Sequence, residues 1–238
     1  MQPADRQLIK FAFTVCIVCS VLLSGVAAGL RDRQQREVEL DRKMNVLKAF
    51  GEQTRDEQGR RIAPEAVDRI FADHIGEIVL DAATGEEMDP EQVDPREIRQ
   101  KRQLPLFYWH EDGERQRYAF PVSGPGLWST IYGFLALEDD LSTIAGVTFY
   151  DHGETPGLGG RIEEAEFQEQ FSGKILWADG QPVPLQTIKG GVAARYPEGN
   201  PHAIDGLAGA TITGEGVSAL ISRDFRRYDV FFREIRQD

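Results

Sequence analysis

The chain has 238 residues, which is enough for one membrane-spanning segment and a soluble domain with its own core. Its formal net charge is −12, and the first 36 residues carry five basic and two acidic side chains, so the remainder carries −15. A surface this acidic repels a phosphate backbone, which excludes nucleic acid as a partner.

Residues 11–30 form an uncharged apolar run. As a helix this run is about 30 Å long, which matches the hydrocarbon thickness of a bilayer. A cleaved signal peptide is the alternative, because "VAA" at 26–28 resembles a cleavage site. The run is longer than the usual signal core, so we expect an uncleaved anchor over residues 1–36. Both cysteines, Cys16 and Cys19, lie in the run and are expected to pack as small apolar residues.

The charges that flank the apolar run do not decide the orientation of the chain. Two basic residues precede the run and three follow it, and long domains cross a membrane largely regardless of flanking charge. The sequence alone leaves open the side on which the domain lies.

The segments after the run indicate an α+β fold, because strands and helices mix without regular alternation. Residues 31–50 predict a helix that continues from the membrane, and residues 37–104 as a whole predict a helical or irregular membrane-proximal region. Residues 105–238 contain strand-like segments and are expected to form the soluble domain. Within it, residues 161–173 predict a surface helix that Gly173 ends, and Thr213 is the plausible N-cap of the last helix.

Three glycine-rich stretches interrupt this domain: "SGPGLWSTIYG" at 123–133, "DHGETPGLGGRIEE" at 151–164 and "AIDGLAGATITGEGV" at 203–217. The second reads G-x-G-G, and no G-K-[ST] is present, so neither a dinucleotide fingerprint nor a phosphate loop is predicted. Each stretch alone indicates a turn, but three in one small domain indicate a shared ligand pocket. The four histidines share no ligand spacing, so we predict neither a metal site nor a catalytic triad.

Taken together, these stretches resemble one family. "GLWSTIYGFLALE", "GVTFYDHGETPGLGG" and "DGLAGATIT" are similar to the periplasmic flavin-bearing domain of the C subunit of the Na+-translocating NADH–quinone reductase. The related G subunit of the Rnf complex shares the "ETPGLG" and D-x-x-[ST]-G-A-T elements, whereas "GLWSTIYG" is closer to the quinone reductase. The resemblance covers the anchor and, most specifically, residues 123–217.

The resemblance implies that a flavin transferase moves FMN from FAD onto the last threonine of the motif, which is Thr211. Asp205 matches the acidic position of the motif, whereas Ala208 stands where the family usually has Ser or Thr. The small residues Gly209 and Ala210 would leave the hydroxyl accessible. A phosphate on Thr211 would lie just before the last helix, whose first N–H groups favour an anion. The other flavin-lining positions implied by the resemblance are Glu154, Thr155, Gly157, Leu158, Trp128, Ser129 and Lys189.

The function implied is a covalent-FMN-carrying electron-transfer subunit of a membrane NADH:quinone oxidoreductase that exports Na+. Its partners would be the other subunits of the complex and the flavin transferase. The resemblance implies a single-pass protein of the inner membrane, with its soluble FMN-binding domain in the periplasm. No catalytic residue is expected, because the isoalloxazine carries the chemistry. The alternatives are an Rnf-type G subunit, which serves ferredoxin and NAD, and a membrane-anchored flavin-binding regulatory module.

Overall fold

The computed structural model describes residues 3–56 and 58–237. The ends of the expected ranges 1–36 and 105–238, at residues 1, 2 and 238, lie outside this description. The chain divides into two compact units, Met1–Arg42 and Lys43–Asp238. The second unit contains all three glycine-rich stretches.

The described helices and strands confirm the α+β class. In chain order they are α1 (Pro3–Ala49), α2 (Pro64–His74), β1 (Ile75–Asp81), α3 (Pro95–Arg99), β2 (Gln103–Glu111), β3 (Glu114–Pro125), β4 (Thr130–Leu137), β5 (Ile144–Asp151), α4 (Ala165–Glu169), β6 (Trp177–Ala178), β7 (Gln181–Pro182), β8 (Gln186–Ile188), α5 (Val192–Arg195), β9 (Ala203–Asp205) and α6 (Thr211–Gln237), with short 3-10 helices at Pro90–Gln92 and Gly159–Glu163.

Helix α1 runs from the apolar segment to Ala49 without a break, so the helix expected after the membrane segment is confirmed. Its part Lys10–Ala49 is long and apolar enough to cross a membrane. The helix ends because Gly51 adopts a φ of +86°, which lets the Gly51 N–H donate to the Lys48 carbonyl and the Glu52 N–H to the Leu47 carbonyl. This is a Schellman cap, which satisfies the last carbonyls of the helix.

The core of the second unit is a five-stranded antiparallel sheet in the order β1-β2-β3-β4-β5, with α6 packed against β3. The sheet includes more of the chain than the sequence predicts. Strand β1 pairs with β2 from Ile75↔Trp109 to Asp81↔Gln103, although residues 37–104 were expected to be helical or irregular. The expected boundary at residue 105 also falls inside β2. Strand β1 begins directly after α2, and its short apolar run 78–80 lies between Glu77 and Asp81, so the acidic composition of the region conceals it in the sequence.

The segment 161–173 differs from the single surface helix that the sequence predicts. A 3-10 helix ends at Glu163, Glu164 is extended (φ −68°, ψ 139°), and α4 follows as a separate short helix. Phe167 and Phe171 are buried in the core, so this segment covers β5 rather than lying on the surface. Gly173 does not end this helix, because α4 stops at Glu169; with a φ of +75° it forms a turn further along the chain.

We predict that the last turns of α1 contribute to the folding stability of the soluble domain. A chain that begins at Arg33 should be soluble and folded, whereas one that begins at Gly51 lacks the buried Val46, Leu47 and Phe50. Losing these side chains should cost about 5 kcal/mol or more of unfolding free energy. Chemical denaturation of the two chains measures the difference, and equal stability would contradict the prediction.

The full-length chain should remain with membranes after a high-salt wash.

Candidate functional site

A buried carboxylate, Glu154, joins the first two glycine-rich stretches to helix α6. Glu154 is only 5% exposed. Its oxygens accept hydrogen bonds from the backbone N–H groups of Leu127 (3.2 Å), Trp128 (2.9 Å) and Ser129 (3.4 Å), and from the Thr213 hydroxyl (2.6 Å). Burial raises the pKa of Glu154, but the bonds from Thr213 and the three amides outweigh it, so the pKa lies below its ordinary value. Glu154 is therefore an anion that holds the 127–129 loop against α6.

Thr213 is not the N-cap of the last helix, and the prediction of that role is wrong. Helix α6 begins at Thr211, and the Gly214 N–H donates to the Ala210 carbonyl (3.0 Å), so Ala210 occupies the cap position. Thr213 is the third residue of the helix and is 1% exposed. Threonine is a common cap because its oxygen can accept a nearby N–H. Here the hydroxyl donates instead to Glu154, which is 59 residues away in the sequence.

Thr211 is exposed at the first position of α6. The turn before it passes through Gly209, whose φ of +76° lies in the left-handed region that favours glycine. The Ala210 N–H donates to the Leu207 carbonyl (3.2 Å) and closes this turn, and the Ala210 side chain is buried. The first N–H groups of an α-helix have no acceptor within the helix. An anion bound to the Thr211 oxygen would therefore lie at the positive end of α6.

The loop after β5 packs closely against the start of α6. A Cβ atom built on Gly159 would lie 2.7 Å from the Thr213 oxygen and 2.9 Å from Glu154 Oε2, so only glycine allows this approach. Leu158 lies beside the turn before Thr211, because a Cβ on Gly209 would be 3.2 Å from its Cδ2 atom. The second and third glycine-rich stretches are thus in direct contact, as a shared pocket requires.

Three further predicted residues shape the loops themselves. The Thr155 carbonyl accepts the N–H groups of Leu158 (3.1 Å) and Gly160 (3.0 Å), and the Thr155 side chain is exposed. Gly157 turns the same loop with a φ of +74°. The Ser129 hydroxyl accepts the Gly153 N–H (2.5 Å), which ties the 127–129 loop to the loop after β5.

Asp205 and Lys189 lie at the ends of the parallel strands β9 and β8. Ile188 pairs with Asp205, and the Gly206 N–H donates to the Ile188 carbonyl (2.9 Å), so the exposed Lys189 lies beside the start of the third glycine-rich stretch. The Asp205 carboxylate accepts the Val192 N–H (2.5 Å). That bond holds the carboxylate against the turn that follows Lys189, a role that the sequence does not reveal.

Four large apolar side chains on the three glycine-rich stretches that meet at Glu154 and the start of α6 are between 45% and 70% exposed. We call Leu127, Trp128, Leu158 and Ile212 the apolar rim. Several exposed apolar side chains on neighbouring loops mark a binding surface, and flat aromatic ligands bind such surfaces. Sequence reasoning selected two of them and missed Leu127 and Ile212. Their positions in the sequence could have indicated them, because Leu127 directly precedes Trp128 and Ile212 directly follows Thr211. Each is a large apolar residue within a glycine-rich stretch.

The same region matches a known domain. The model of the FMN-binding domain family matches residues 126–223, which begin at the 127–129 loop and end within α6. The C subunit of the Na+-translocating NADH-quinone reductase from Yersinia pestis is 37% identical over 85% of this chain and 82% of the relative. The same subunit from Pseudomonas aeruginosa is 32% identical over 99% of this chain and 98% of the relative. The chain belongs to this family of reductase C subunits.

Solved structures of members of this family share the fold. NqrC from Shewanella oneidensis superposes with a TM-score of 0.68 at 26% identity, covering 87% of this chain and all of that one (100%). The reductase C subunit from Parabacteroides distasonis gives a TM-score of 0.69 at 24% identity, over 85% and 96% of the two chains. The relatives from Yersinia pestis and Pseudomonas aeruginosa favour the quinone reductase over the Rnf-type alternative.

We predict that acid weakens the fold through Glu154. Because its pKa is lower in the folded chain than in the unfolded chain, its ionised form stabilises the fold fully above the unfolded carboxyl pKa, which is about 4.3. This contribution is lost as the pH falls through the folded pKa. Glu154→Gln should therefore be less stable than the wild type at pH 7, and should lose less stability on acidification.

Denaturant unfolding of both proteins between pH 7 and pH about 3 measures this difference. Glu198→Gln, at an exposed glutamate, is the matched control and should follow the wild-type pH dependence. A Glu154→Gln profile parallel to that of the wild type would contradict the prediction.

Proposed function

We propose that this chain is the electron-carrying C subunit of a Na+-translocating NADH:quinone oxidoreductase, with its FMN attached by a phosphoester to Thr211. The observation that carries the proposal is the position of Thr211. It is exposed at the first position of α6, next to the apolar rim, and inside the span that matches an FMN-binding domain. When bound, the isoalloxazine supplies the redox chemistry, and the protein supplies its position and surroundings.

The attachment reaction that fits this position is a phosphoryl transfer from FAD. The Thr211 oxygen attacks the phosphorus of the FMN half, the bond from that phosphorus to the bridging oxygen breaks, and AMP leaves. The hydroxyl proton is lost to the medium, and the chain gains FMN less one water. A flavin transferase needs room around the hydroxyl, and the neighbouring Ala208 and Gly209 are small and exposed.

The residues around Thr211 suit the separate parts of FMN. The free N–H groups at the start of α6 suit the phosphate, and the Lys189 ammonium beside the motif adds positive charge. The apolar rim suits the flat ring system. Glu154 is not exposed enough to be a principal contact, and its part is to fix the backbone that presents Leu127 and Trp128. Thr155 and Asp205 stay predicted neighbours of the flavin site.

Membrane placement forms the second part of the proposal. The helix Lys10–Ala49 suits a single-pass anchor in the inner membrane. Flanking charge does not decide the side, so the periplasmic position of the domain rests on the resemblance of the sequence motifs. The other subunits of the reductase and the flavin transferase are the proposed partners. A flavin-binding regulatory module is the remaining alternative, and it would hold flavin that acid precipitation removes.

We predict that Thr211 alone carries the covalent flavin. After co-expression with a flavin transferase in the exported compartment, the chain should gain the mass of FMN less one water and fluoresce in a denaturing gel. Thr211→Ala should lose both signals, because it removes the acceptor hydroxyl.

Thr213→Val is the matched control, since it removes a hydroxyl from the same helix without changing the side-chain size much. It should keep the covalent flavin while losing about 1–3 kcal/mol of stability, because Glu154 loses a buried donor. Fluorescence kept by Thr211→Ala and lost by Thr213→Val would move the site to Thr213. Fluorescence kept by both variants would refute covalent attachment at this motif.

We predict that residues 43–238 are exposed to the periplasm. Protease added to intact spheroplasts should degrade this unit while a cytoplasmic control protein survives. If the unit is degraded only after the inner membrane is lysed, the orientation is reversed and the reductase assignment loses support.

A further inference from the structure

The five-stranded sheet splits between β2 and β3 at one end. These two strands pair only from Phe107↔Ala119 to Glu111↔Glu114, although β2 begins at Gln103 and β3 extends to Pro125. On either side the pairing continues, since β1 follows β2 to Gln103 and β4 follows β3 to Pro125. The gap is therefore confined to the 103–106 part of β2 and the facing part of β3.

Two prolines explain why the strands separate there. Continuing the register from Phe107↔Ala119 would place Pro105 opposite Pro121. Neither residue has an N–H, so this position of the ladder cannot form hydrogen bonds. The Pro105 carbonyl is satisfied from α6 instead, because it accepts the Tyr228 hydroxyl (2.8 Å). The separation of the strands is therefore a stable feature of the fold, because the Pro105 carbonyl keeps a hydrogen-bond partner. It leaves a cavity of about 390 Å³, which we call the interstrand slot.

One end of the interstrand slot carries a cluster of positive charge. Asp224 is 1% exposed and accepts hydrogen bonds from Lys101 Nζ (2.8 Å to Oδ2) and the Ser123 N–H (2.8 Å). Arg227 Nη1 and Arg223 Nε also bond to Asp224. Three cations therefore surround one carboxylate, which leaves a charge of +2. This local positive charge contrasts with the rest of the domain, because the residues beyond the first 36 carry a net charge of −15.

The remaining walls of the interstrand slot are flat and largely apolar. Tyr132 and Tyr150 line it, and both rings are more than 40% exposed. Pro105 and Pro121 also line it. Ser123 lies between the apolar walls and the charged end, since it pairs with Tyr132 across β3 and β4 and also donates to Asp224. Ligand sites commonly combine such an apolar body with a few polar groups at one end.

We propose that the interstrand slot is a second binding site, which takes an organic anion with a flat apolar body, such as a two-ring aromatic sulfonate or carboxylate. The ring system lies between the prolines and the tyrosine rings, and the anionic group faces Arg227 and Lys101. Arg99 also lines the slot and adds to its positive potential. The site is separate from the apolar rim, and it does not depend on covalent attachment at Thr211.

Calorimetric titration of the full chain in detergent micelles with naphthalene-2-sulfonate tests this proposal, with empty micelles as the blank. We expect saturable binding of one anion per chain. The neutral analogue naphthalene-2-sulfonamide should bind about tenfold more weakly, because it lacks the charge that the arginine end attracts. Equal affinities for the two compounds, or no saturable heat with the sulfonate, would overturn the proposal.

Two variants test the position of the site. Ser123→Leu places a larger side chain in the slot and should weaken sulfonate binding by at least about tenfold. Arg227→Gln should weaken sulfonate binding by a similar factor and leave sulfonamide binding nearly unchanged, while Lys101 still pairs with Asp224. If circular dichroism shows that Ser123→Leu does not fold, Arg227→Gln alone tests the position of the site.

Trp128→Ala and Arg195→Gln are the matched controls, because they change an exposed aromatic ring and an exposed arginine outside the slot. Both should bind the sulfonate as the wild type does. Loss of binding in Trp128→Ala, with binding kept in Arg227→Gln, would assign the anion to the apolar rim and refute the interstrand slot.

Discussion

Glu154 is a charged side chain in an almost fully buried position, and it is stable there because four donors surround its two oxygens. Three of the donors are consecutive backbone N–H groups of one loop, and the fourth is a hydroxyl on α6. A buried carboxylate is costly unless such partners compensate for its lost hydration. The charge therefore requires that the loop after β3, the loop after β5 and the start of α6 meet at one point. The candidate flavin site is the surface that results from this meeting.

The two threonines of the third glycine-rich stretch have opposite roles for a geometric reason. Successive residues of an α-helix are rotated by about 100°, so Thr211 and Thr213 point about 200° apart. Because Glu154 binds Thr213 inside the protein, Thr211 faces solvent. The same bond that anchors the helix thus sets the exposure of the proposed attachment point. A tether at this position would keep one flavin at high local concentration beside the apolar rim.

Helix α6 connects two regions of different chemistry. Its first residue carries the proposed phosphoester, and Asp224, Arg227 and Tyr228 line the interstrand slot further along. At 1.5 Å per residue, Thr211 and Arg227 are about 24 Å apart along the helix axis. The two regions can therefore bind different molecules at the same time. Both also adjoin β3, whose far end leads into the 127–129 loop.

The sequence by itself determined the features that depend on local composition. The uncharged run 11–30 predicted a long apolar helix, the mixed strand and helix signals predicted an α+β class, and the three glycine-rich stretches predicted the family. The shared ligand pocket stays a prediction. Tertiary structure alone decided that β1 joins the sheet, that the segment 161–173 folds inward in two short helices, and that Thr213 bonds to Glu154 rather than capping α6. These outcomes depend on partners far away along the chain. The donors to a buried carboxylate and the neighbour of an edge strand come together only when the chain folds. No periodicity or short motif in the sequence therefore predicts these contacts.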